Sequence, residues 1–547
     1  MKYNSLKKLL YPMTLNRREF LKQLGAGAAA FGLAAWLPAA YARDLKRTSG
    51  LARSIPELQG LSSKHILSFV EAVEKANLGL HSLVIVRHGK VIAEGWWDPY
   101  RADLKHTLFS LSKSFTSTAI GFAVAEGRLT VEDKVISFFP QEKPENISEN
   151  LAAMRITDLL TMTTGHENDT IGPLLGETEC CWVKRFLSLP VEQEPGTFFL
   201  YNTGATYMLS AILHKVTQTS LLDYLTPRLF KPLDIKGADW ETDPDGIDTG
   251  GFGLRLATED IAKFGQLYLQ KGVWNGKQLL SAKWIEEATS FQVPNAAPTG
   301  KTTAHDWNQG YGYQFWQCQH NAYRGDGAMG QYCIVMPDQD AVMAITSETH
   351  DMQAIMNHVW EILLPNMQSK PLAQDTTTHT TLKQKLASLT LLPAVNASAS
   401  PLTATISGKE YKIKENKLNV EKASFTFHKN SCTFKLKDAQ GQHTLVCGLK
   451  HWEKGETQMP GDPPKFVPLK NSMDNSKIKV AAIGTWKDPD TFVMTWNFYE
   501  TPHSDIVTCH FDKDTVRMEF MNSVDTKARN SKEPRLVLEG QSDEMKG

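Results

Sequence analysis

Ser110 and Lys113 stand three residues apart within the stretch Leu108–Ser117, and their types suit nucleophilic catalysis. A serine hydroxyl is a poor nucleophile at neutral pH and needs a base to remove its proton. A lysine can be that base when burial or nearby cations lower its pKa. Because side chains three residues apart on a helix project from the same face, the spacing predicts a Ser-Lys pair, with Ser110 as nucleophile and Lys113 as base.

A helix from about Ser110 to Glu126 would position this pair. Phe115, Ala119 and Phe122 recur at helical spacing, and Gly127 supplies a C-terminal stop. The helix N-terminus would bring backbone N–H groups to Ser110, where they favour developing negative charge. A solvated helix that begins with a serine cap has the same pattern, so the spacing alone leaves both interpretations open.

The region around the pair begins and ends with strands, and helices fill its middle. Residues 82–97 have the pattern of a hairpin, residues 130–290 are mostly helical, and strands are predicted at Cys333–Met336 and Ala341–Thr346. An amphipathic helix follows over Met352–Leu363. We therefore expect an α+β fold, in which an antiparallel sheet is flanked by helices and a helical lobe is inserted, with a cleft between sheet and lobe.

The composition changes after this region, which extends over residues 43–365. Residues 366–402 carry a threonine cluster with scattered alanine, serine and proline, which predicts a linker with one helix in it. From 403 to 547 short alternating strands are separated by glycine, asparagine, aspartate and proline, which predicts an all-β sandwich or barrel. The clearest of these strands are Ser424–Phe427, Cys432–Leu436, Phe492–Trp496 and Val516–Phe520.

The first 42 residues have the pattern of an export signal. Asn16–Lys22 contains a twin arginine, a soft apolar stretch runs from Leu24 to Ala40, and Ala40-Tyr41-Ala42 offers the small residues that a signal peptidase reads. We therefore expect a bacterial Tat signal over residues 1–42 and a periplasmic or secreted protein. A membrane anchor is the alternative, but the apolar stretch is short of the ~20 strongly apolar residues that a span needs.

Charge and cysteine content exclude several classes of protein. The net charge of −1 gives no strong field for nucleic acid or for an anionic membrane, so neither is an expected partner. The seven cysteines include no CxxC motif, which argues against a zinc ribbon or a redox motif. Their odd number leaves at least one unpaired, and Cys432 and Cys447 could pair in an oxidising compartment.

Residues 52 to about 364 resemble the serine β-lactamase and DD-peptidase superfamily on its class C side, nearest to its esterase and aminohexanoate-oligomer hydrolase relatives. The resemblance implies that the serine attacks a carbonyl, the lysine accepts its proton, and an acyl-enzyme forms and is hydrolysed. Ser110 and Lys113 match the residues with those roles. The matching stretches are Val84–Lys90, Ser110–Ser117, Ala125–Leu129, Asp158–Gly165 and Gly250–Leu254.

The second motif of that family is Tyr-x-Asn, which matches Tyr201-Asn202-Thr203 here. The resemblance implies that Tyr201 relays protons between serine, lysine and leaving group, because a phenol donates and accepts hydrogen bonds and ionises where cations crowd it. Thr203 replaces asparagine, and its hydroxyl could still bind a substrate carbonyl or the lysine. A buried tyrosine beside a helix start is the alternative for Tyr201.

The third motif of that family is Lys/His-x-Gly on a strand that lines the cleft, and Gly325-Asp326-Gly327 is the match. The cation that helps to hold the carboxylate of β-lactams and peptides is absent, so we expect poor hydrolysis of cephalosporins. Arg324 is close in sequence, but neighbours on a strand face opposite ways. The expected oxyanion-hole donors are the backbone N–H groups of Ser110 and of Gly327 or Ala328.

Other residues carry weaker signals. His106 and the polar stretch His166–Asp169 favour structural roles over catalysis or metal binding, since no second histidine clusters with them in the sequence. Four aromatic residues of the C-terminal region could line a pocket, although core filling is favoured. They are Trp452, Trp486, Trp496 and Tyr499.

We therefore expect a periplasmic serine hydrolase that cleaves an ester or amide in a small-molecule substrate, without a metal or cofactor. A DD-peptidase or β-lactamase that acts on cell-wall peptide or β-lactams is the nearest alternative. A non-hydrolytic penicillin-binding or scaffold protein is another, because Thr203 and Gly325 depart from the family pattern. The sequence predicts no stable membrane insertion after signal cleavage, and it leaves the substrate and the oligomeric state open.

Overall fold

The computed structural model describes residues 50–177, 181–295, 305–391, 400–459, 477–523 and 536–542, so the predicted signal at 1–42 lies outside the described residues. The strands before residue 400 are β1 (Ala52–Arg53), β2 (Leu80–Arg87), β3 (Lys90–Trp96), β4 (His106–Thr107), β5 (Arg255–Leu256), β6 (Val273–Trp274), β7 (Lys277–Gln278), β8 (Trp316–Gln317), β9 (Tyr323–Gly327), β10 (Gln331–Met336) and β11 (Ala341–Ser347). The later strands are β12 (Glu410–Ile413), β13 (Lys422–Phe427), β14 (Ser431–Asp438), β15 (Gly441–Gly448), β16 (Glu453–Thr457), β17 (Ile478–Trp486), β18 (Thr491–Asn497), β19 (Ser504–Asp512), β20 (Thr515–Asn522) and β21 (Leu536–Ser542).

The helices lie mostly before residue 390. They are α1 (Ser63–Lys75), α2 (Ser112–Ala125), α3 (Glu149–Ala153), α4 (Ile156–Leu160), α5 (Ile171–Leu175), α6 (Trp182–Ser188), α7 (Thr203–Thr217), α8 (Leu221–Leu225), α9 (Thr258–Leu269), α10 (Ala282–Thr289), α11 (Met352–His358), α12 (Thr376–Ala387) and α13 (Thr403–Ile406). The predicted helix over Met352–Leu363 is α-helical only to His358 and continues as a π-turn over Val359–Leu363.

Seven strands form the central sheet, in the order β1-β3-β2-β11-β10-β9-β8. Neighbouring strands pair antiparallel except β1 and β3, which pair parallel. The predicted hairpin is β2 and β3, and Gly89, at φ +69°, closes the turn between them. β10 and β11 fall where strands were predicted.

Alternate residues of the central strands point to opposite faces of the sheet. On β2, Val84 and Val86 pack into the core that contains residues of α2 and α9, whereas Leu83 and Ile85 pack into the core that contains residues of α1 and α11. The helical lobe, α2 to α8, is inserted in the chain between β4 and β5, and these two strands pair with each other. The predicted α+β class with an inserted helical lobe is therefore confirmed.

Ten strands of the C-terminal region form a second sheet, in the order β15-β14-β13-β12-β21-β20-β19-β18-β17-β16. A pairing of Gly448 in β15, the first strand of this order, with Ile483 in β17, the last but one, closes the sheet into a barrel. This confirms the all-β prediction and selects the barrel over the sandwich. Aromatic rings fill much of the interior, among them Phe425, Phe434, Trp486, Phe492, Trp496 and Phe511.

Two of the four C-terminal aromatic residues depart from the expected core filling. Trp452 and Tyr499 lie outside the barrel core and form a separate apolar cluster with Tyr100 of the N-terminal region. Cys432 and Cys447 face each other across β14 and β15 as free thiols, so the suggested disulfide is absent. Throughout the described ranges no helix is both long enough and apolar enough to cross a membrane.

Candidate active site

Ser110 lies in a 3₁₀ turn, Phe109–Leu111, immediately before α2. The predicted helix is therefore regular only from Ser112, and the turn presents the half-buried serine at the helix N-terminus. Phe109 has φ +48°, in the left-handed region that a side chain with a Cβ disfavours by roughly 1–2 kcal/mol. The N–H of Leu254 donates to Ser112 Oγ at 3.2 Å and ties the turn to the segment before β5.

Lys113 projects from α2 beside Ser110, with 3.0 Å between its Nζ and the serine Oγ. Its Nζ also donates to the carbonyl oxygen of Gly251 at 2.8 Å and to Thr203 Oγ1 at 3.3 Å. A deprotonated amine keeps two of the three N–H donors of the ammonium group and gains a lone pair. Gly251 and Thr203 can take both donors, which leaves the lone pair for the hydroxyl proton of Ser110.

Burial sets the charge of this lysine. The residue is 1% exposed, and its desolvation lowers the pKa to about 7, although the carboxylates of Asp169 and Asp326 act in the opposite direction. A large share of Lys113 is therefore the free amine near neutral pH. A general base needs a pKa near the working pH, because only its unprotonated form can accept a proton.

The ring of Tyr201 lies against the lysine, with 4.9 Å between Nζ and the ring centroid, and Trp316 stacks on it at 5.2 Å. Burial and the Asp326 carboxylate raise the pKa of Tyr201 above its ordinary value, while a hydrogen bond with Ser110 opposes them. Tyr201 is therefore a neutral phenol at physiological pH, not the anion that crowding cations would favour. Its hydroxyl can still donate and accept a proton between neighbours.

Thr203 begins α7 and faces the lysine, one of the two roles expected for its hydroxyl. Its backbone N–H donates to Asp169 Oδ1 at 2.8 Å, which fixes the start of the helix. Asn202, the middle residue of the motif, is fully buried, and its Oδ1 accepts the N–H and hydroxyl of Thr170 at 3.1 and 2.7 Å. Within the motif, Thr203 therefore contacts the lysine, and Asn202 holds the loop that contains Thr170.

Strand β9 presses against the turn that carries the serine. A Cβ at Gly327 would lie 2.0 Å from the carbonyl oxygen of Leu108, so only glycine permits this approach of the two backbones. Ala328, the next residue, is exposed. An oxyanion hole built from the N–H groups of Ser110 and of Gly327 or Ala328 requires such proximity.

Gly325 and Asp326 occupy the positions of the missing cation and its neighbour. A Cβ at Gly325 would lie 2.5 Å from Ser114 Oγ, so a longer side chain has no room there. Arg324 is buried and its Nε donates to Asp326 Oδ2 at 2.8 Å. Sequence reasoning missed the influence of Asp326 on Lys113, and its place between the two glycines of the third motif was the available signal.

His106 and His166, which carried weaker sequence signals, lie in buried surroundings that fit structural roles. His106 is buried, with its Nε2 3.0 Å from Nδ1 of His81 and its Nδ1 2.9 Å from the carbonyl oxygen of Thr107, and burial lowers its pKa to about 3. His166 is buried too, with its Nδ1 2.9 Å from Thr164 Oγ1, and its pKa is lowered to about 4. Within the described part of the chain, no group of three or more His, Cys, Asp or Glu residues could hold a metal ion.

Known proteins resemble this chain in the region that contains the site. The Beta-lactamase family model matches residues 70–360, just over half of the chain. The 6-aminohexanoate-dimer hydrolase of Paenarthrobacter ureafaciens is 23% identical over 332 residues, which cover 57% of this chain and 81% of that protein.

Two solved structures are similar at lower identity. EstCE1, a hydrolase with promiscuous acyltransferase activity, is 17% identical, with a TM-score of 0.46 over 55% of this chain and 99% of its own. The octameric penicillin-binding protein homologue from Pyrococcus abyssi is 15% identical, with a TM-score of 0.44 over 87% of this chain and 99% of its own. The family match spans most of the central sheet and the whole helical lobe. The chain therefore belongs to the Beta-lactamase family and is a hydrolase with that fold.

Proposed function

We propose that this chain is a periplasmic serine hydrolase that cleaves an ester or amide bond through an acyl-enzyme on Ser110, with Lys113 as the base. The observation that carries the proposal is the 3.0 Å separation of Lys113 Nζ from Ser110 Oγ, in surroundings that lower the lysine pKa to about 7. The similarity to a 6-aminohexanoate-dimer hydrolase supports an amide among the substrates.

The reaction follows from these contacts. Ser110 Oγ attacks the carbonyl carbon while its proton passes to the free amine of Lys113, and the N–H groups of Ser110 and of Gly327 or Ala328 stabilise the oxyanion. The proton then moves through the Tyr201 hydroxyl to the departing alcohol or amine, and the acyl-enzyme forms. Water attacks this ester, gives its proton to the same relay, and releases a carboxylic acid and the free serine.

The charges around the pair favour substrates without a carboxylate beside the scissile bond. Gly325 supplies no cation, the guanidinium of Arg324 is already paired with Asp326, and the buried carboxylate of Asp326 is close enough to raise the pKa of Lys113. β-Lactams and cell-wall peptides carry such a carboxylate. We therefore favour an esterase or amidase over a DD-peptidase or β-lactamase.

Ser110→Ala tests the nucleophile. We expect this variant to lose turnover of small p-nitrophenyl esters by at least ~10³-fold, because the amine at position 113 has no hydroxyl to activate. Ser137→Ala, at an exposed serine of the same lobe, is the matched control and should keep wild-type turnover. Unchanged turnover in Ser110→Ala would remove the mechanism.

Intact-mass spectrometry separates the proposal from its alternatives. After exposure to esters, amides and β-lactams, we expect a transient acyl adduct from an ester or amide on the peptide that contains Ser110. A stable adduct with penicillin alone would favour a DD-peptidase. The absence of any adduct with activated esters would favour a non-hydrolytic scaffold protein.

The periplasmic location rests on the twin-arginine stretch Asn16–Lys22 and the apolar segment after it. Tat export carries folded cargo, so the protein would fold in the cytoplasm before it crosses the membrane. Signal cleavage near Ala42 would then release the hydrolase and its barrel together.

A further inference from the structure

Among the described residues of the barrel, the loop 498–503 between β18 and β19, here named the docking loop, lies against the segment that leads to the catalytic centre. The backbone N–H of Thr107 donates to the carbonyl oxygen of Glu500 at 2.9 Å, and the hydroxyl of Tyr100 donates to that of Thr501 at 2.8 Å. These two bonds hold the docking loop to the segment that leads directly into the Ser110 turn.

His503 contacts the strained residue of that turn. Its ring meets the ring of Phe109 edge-on, with 5.6 Å between centroids and 74° between planes. Phe109 precedes the nucleophile and has φ +48°. A residue in this conformation persists only where its surroundings over-determine it, and His503, at 4% exposed, is a packed part of those surroundings.

The barrel is also linked indirectly to the second segment that is expected to supply an oxyanion donor. Ser504, which follows the docking loop, donates through its hydroxyl to Glu348 Oε1 at 3.4 Å. Ser347, beside Glu348, donates through its hydroxyl to the carbonyl oxygen of Met329 at 2.7 Å. Met329 lies in the turn that follows Gly327, so the barrel is linked to both segments that are expected to supply oxyanion donors.

We propose that the barrel positions the catalytic centre, and that His503 is the positioning residue that holds the Ser110 turn in its active geometry. This inference rests on the proposed function of Ser110. A displaced nucleophile weakens the interactions of the transition state more than those of the bound substrate. Loss of the His503 contact therefore lowers kcat and leaves KM nearly unchanged.

His503→Ala tests this with p-nitrophenyl acetate as the substrate. We expect kcat to fall at least about tenfold and KM to change by less than about threefold, since misplacement by an ångström can cost ~100-fold in rate. His503→Phe keeps a ring edge against Phe109 and should restore kcat. His510→Ala, at an exposed histidine of β19, is the matched control and should behave as wild type.

Tyr100→Phe gives a milder test, because it removes only the hydroxyl that donates to Thr501 and keeps the packed ring. We expect kcat to fall by about two- to fivefold with no loss of folded protein by circular dichroism. Wild-type kcat in folded His503→Ala or in Tyr100→Phe would overturn the proposal. So would a fall in kcat that His503→Phe does not restore, or one that only follows loss of folded protein.

The two proposals fail in different ways. If Ser110→Ala abolishes turnover while His503→Ala keeps wild-type kcat, only the positioning role is refuted. If Ser110→Ala keeps its turnover, the proposed function itself is refuted.

Discussion

The pKa of Lys113 reflects opposing effects of its neighbours. Burial favours the free amine, and the carboxylates of Asp169 and Asp326 favour the ammonium; burial is the larger effect, and the pKa lies at about 7. Without the two carboxylates, the pKa of Lys113 would be lower. The amine would then be unprotonated at lower pH, but it would be a weaker base. A pKa of about 7 suits the proposed role of Lys113 as the base, because much of the amine is then unprotonated near neutral pH and still basic.

The pH profile of kcat/KM follows from this balance. Activity should decline as the pH falls through about 7, because protonation of Lys113 removes the base. Asp326→Asn removes a charge that raises the lysine pKa and leaves the Arg324 cation uncompensated, so the acid limb should move to lower pH. The measurement is kcat/KM for a p-nitrophenyl ester between pH 5 and 9, with exposed Asp338→Asn as control. A limb that moves to higher pH in Asp326→Asn would contradict this account.

The sequence could point to the residues proposed as nucleophile, base and proton relay because each of them lies in a short local motif. The effect of Asp326 could not, since it depends on how closely β9 approaches α2. The contact between Thr203 and Lys113 was one of two expected roles, and only the position of α7 decides between them.

At the scale of elements, the approach of β9 to the Ser110 turn decides the geometry of the site. At Gly327 the strand approaches the turn with its backbone, which the absence of a side chain makes possible, and the side chain of Asp326 adds its charge near Lys113. The expected oxyanion donors therefore come from two segments far apart in sequence, which meet only after the lobe has packed on the sheet. This dependence makes the contact a sensitive point for both stability and rate.

Gly327→Ala should damage both properties. The added Cβ would lie 2.0 Å from a backbone oxygen, which cannot rotate away as a side chain could. We expect a loss of about 1–3 kcal/mol in the free energy of unfolding by urea, and most ester turnover should be lost. Gly455→Ala in the barrel is the control, because a Cβ there meets nothing within 4 Å. Wild-type stability and turnover in Gly327→Ala would show that β9 can move aside without harm.

Strand and helix positions were largely predictable, since the short apolar runs of β2, β10 and β11, with turn residues between them, and the helical spacing in α2 are local signals. The 3₁₀ turn Phe109–Leu111 was not, because a left-handed φ at a phenylalanine has no local sequence signal and its ring packs against His503, far away in the sequence. The linker prediction captured α12 but not the bonds that tie Leu391 to the barrel, where its carbonyl oxygen accepts Trp452 Nε1–H at 2.6 Å.

At the scale of the molecule, the barrel packs on the hydrolase region through an apolar cluster. There Tyr100 clusters with Ala481 and Ile483 of β17, which lie on the outer side of the barrel. An ion pair between Lys454 and Asp98, 2.5 Å apart and partly exposed, lies at the same boundary. Exposed pairs contribute little, so burial of the apolar cluster supplies most of the attraction.

The closed barrel should protect its thiols from reagents. Cys432, Cys447 and Cys509 are fully buried, and burial raises the pKa of each. We therefore expect no labelling of these residues by iodoacetamide in the native protein and complete labelling in denaturant, as read by peptide mass spectrometry. Rapid native labelling of Cys509 would mean that the barrel opens in solution.

The strand order also bears on when the enzyme becomes active. β21, the most C-terminal strand described, lies between β12 and β20, so the wall of the barrel has a gap until this strand has left the ribosome. If the docking loop supports the Ser110 turn as proposed, a nascent chain would lack a competent nucleophile until that gap is filled. On the proposed function, esters and amides of the compartment where synthesis takes place would then be spared until translation of the barrel is complete.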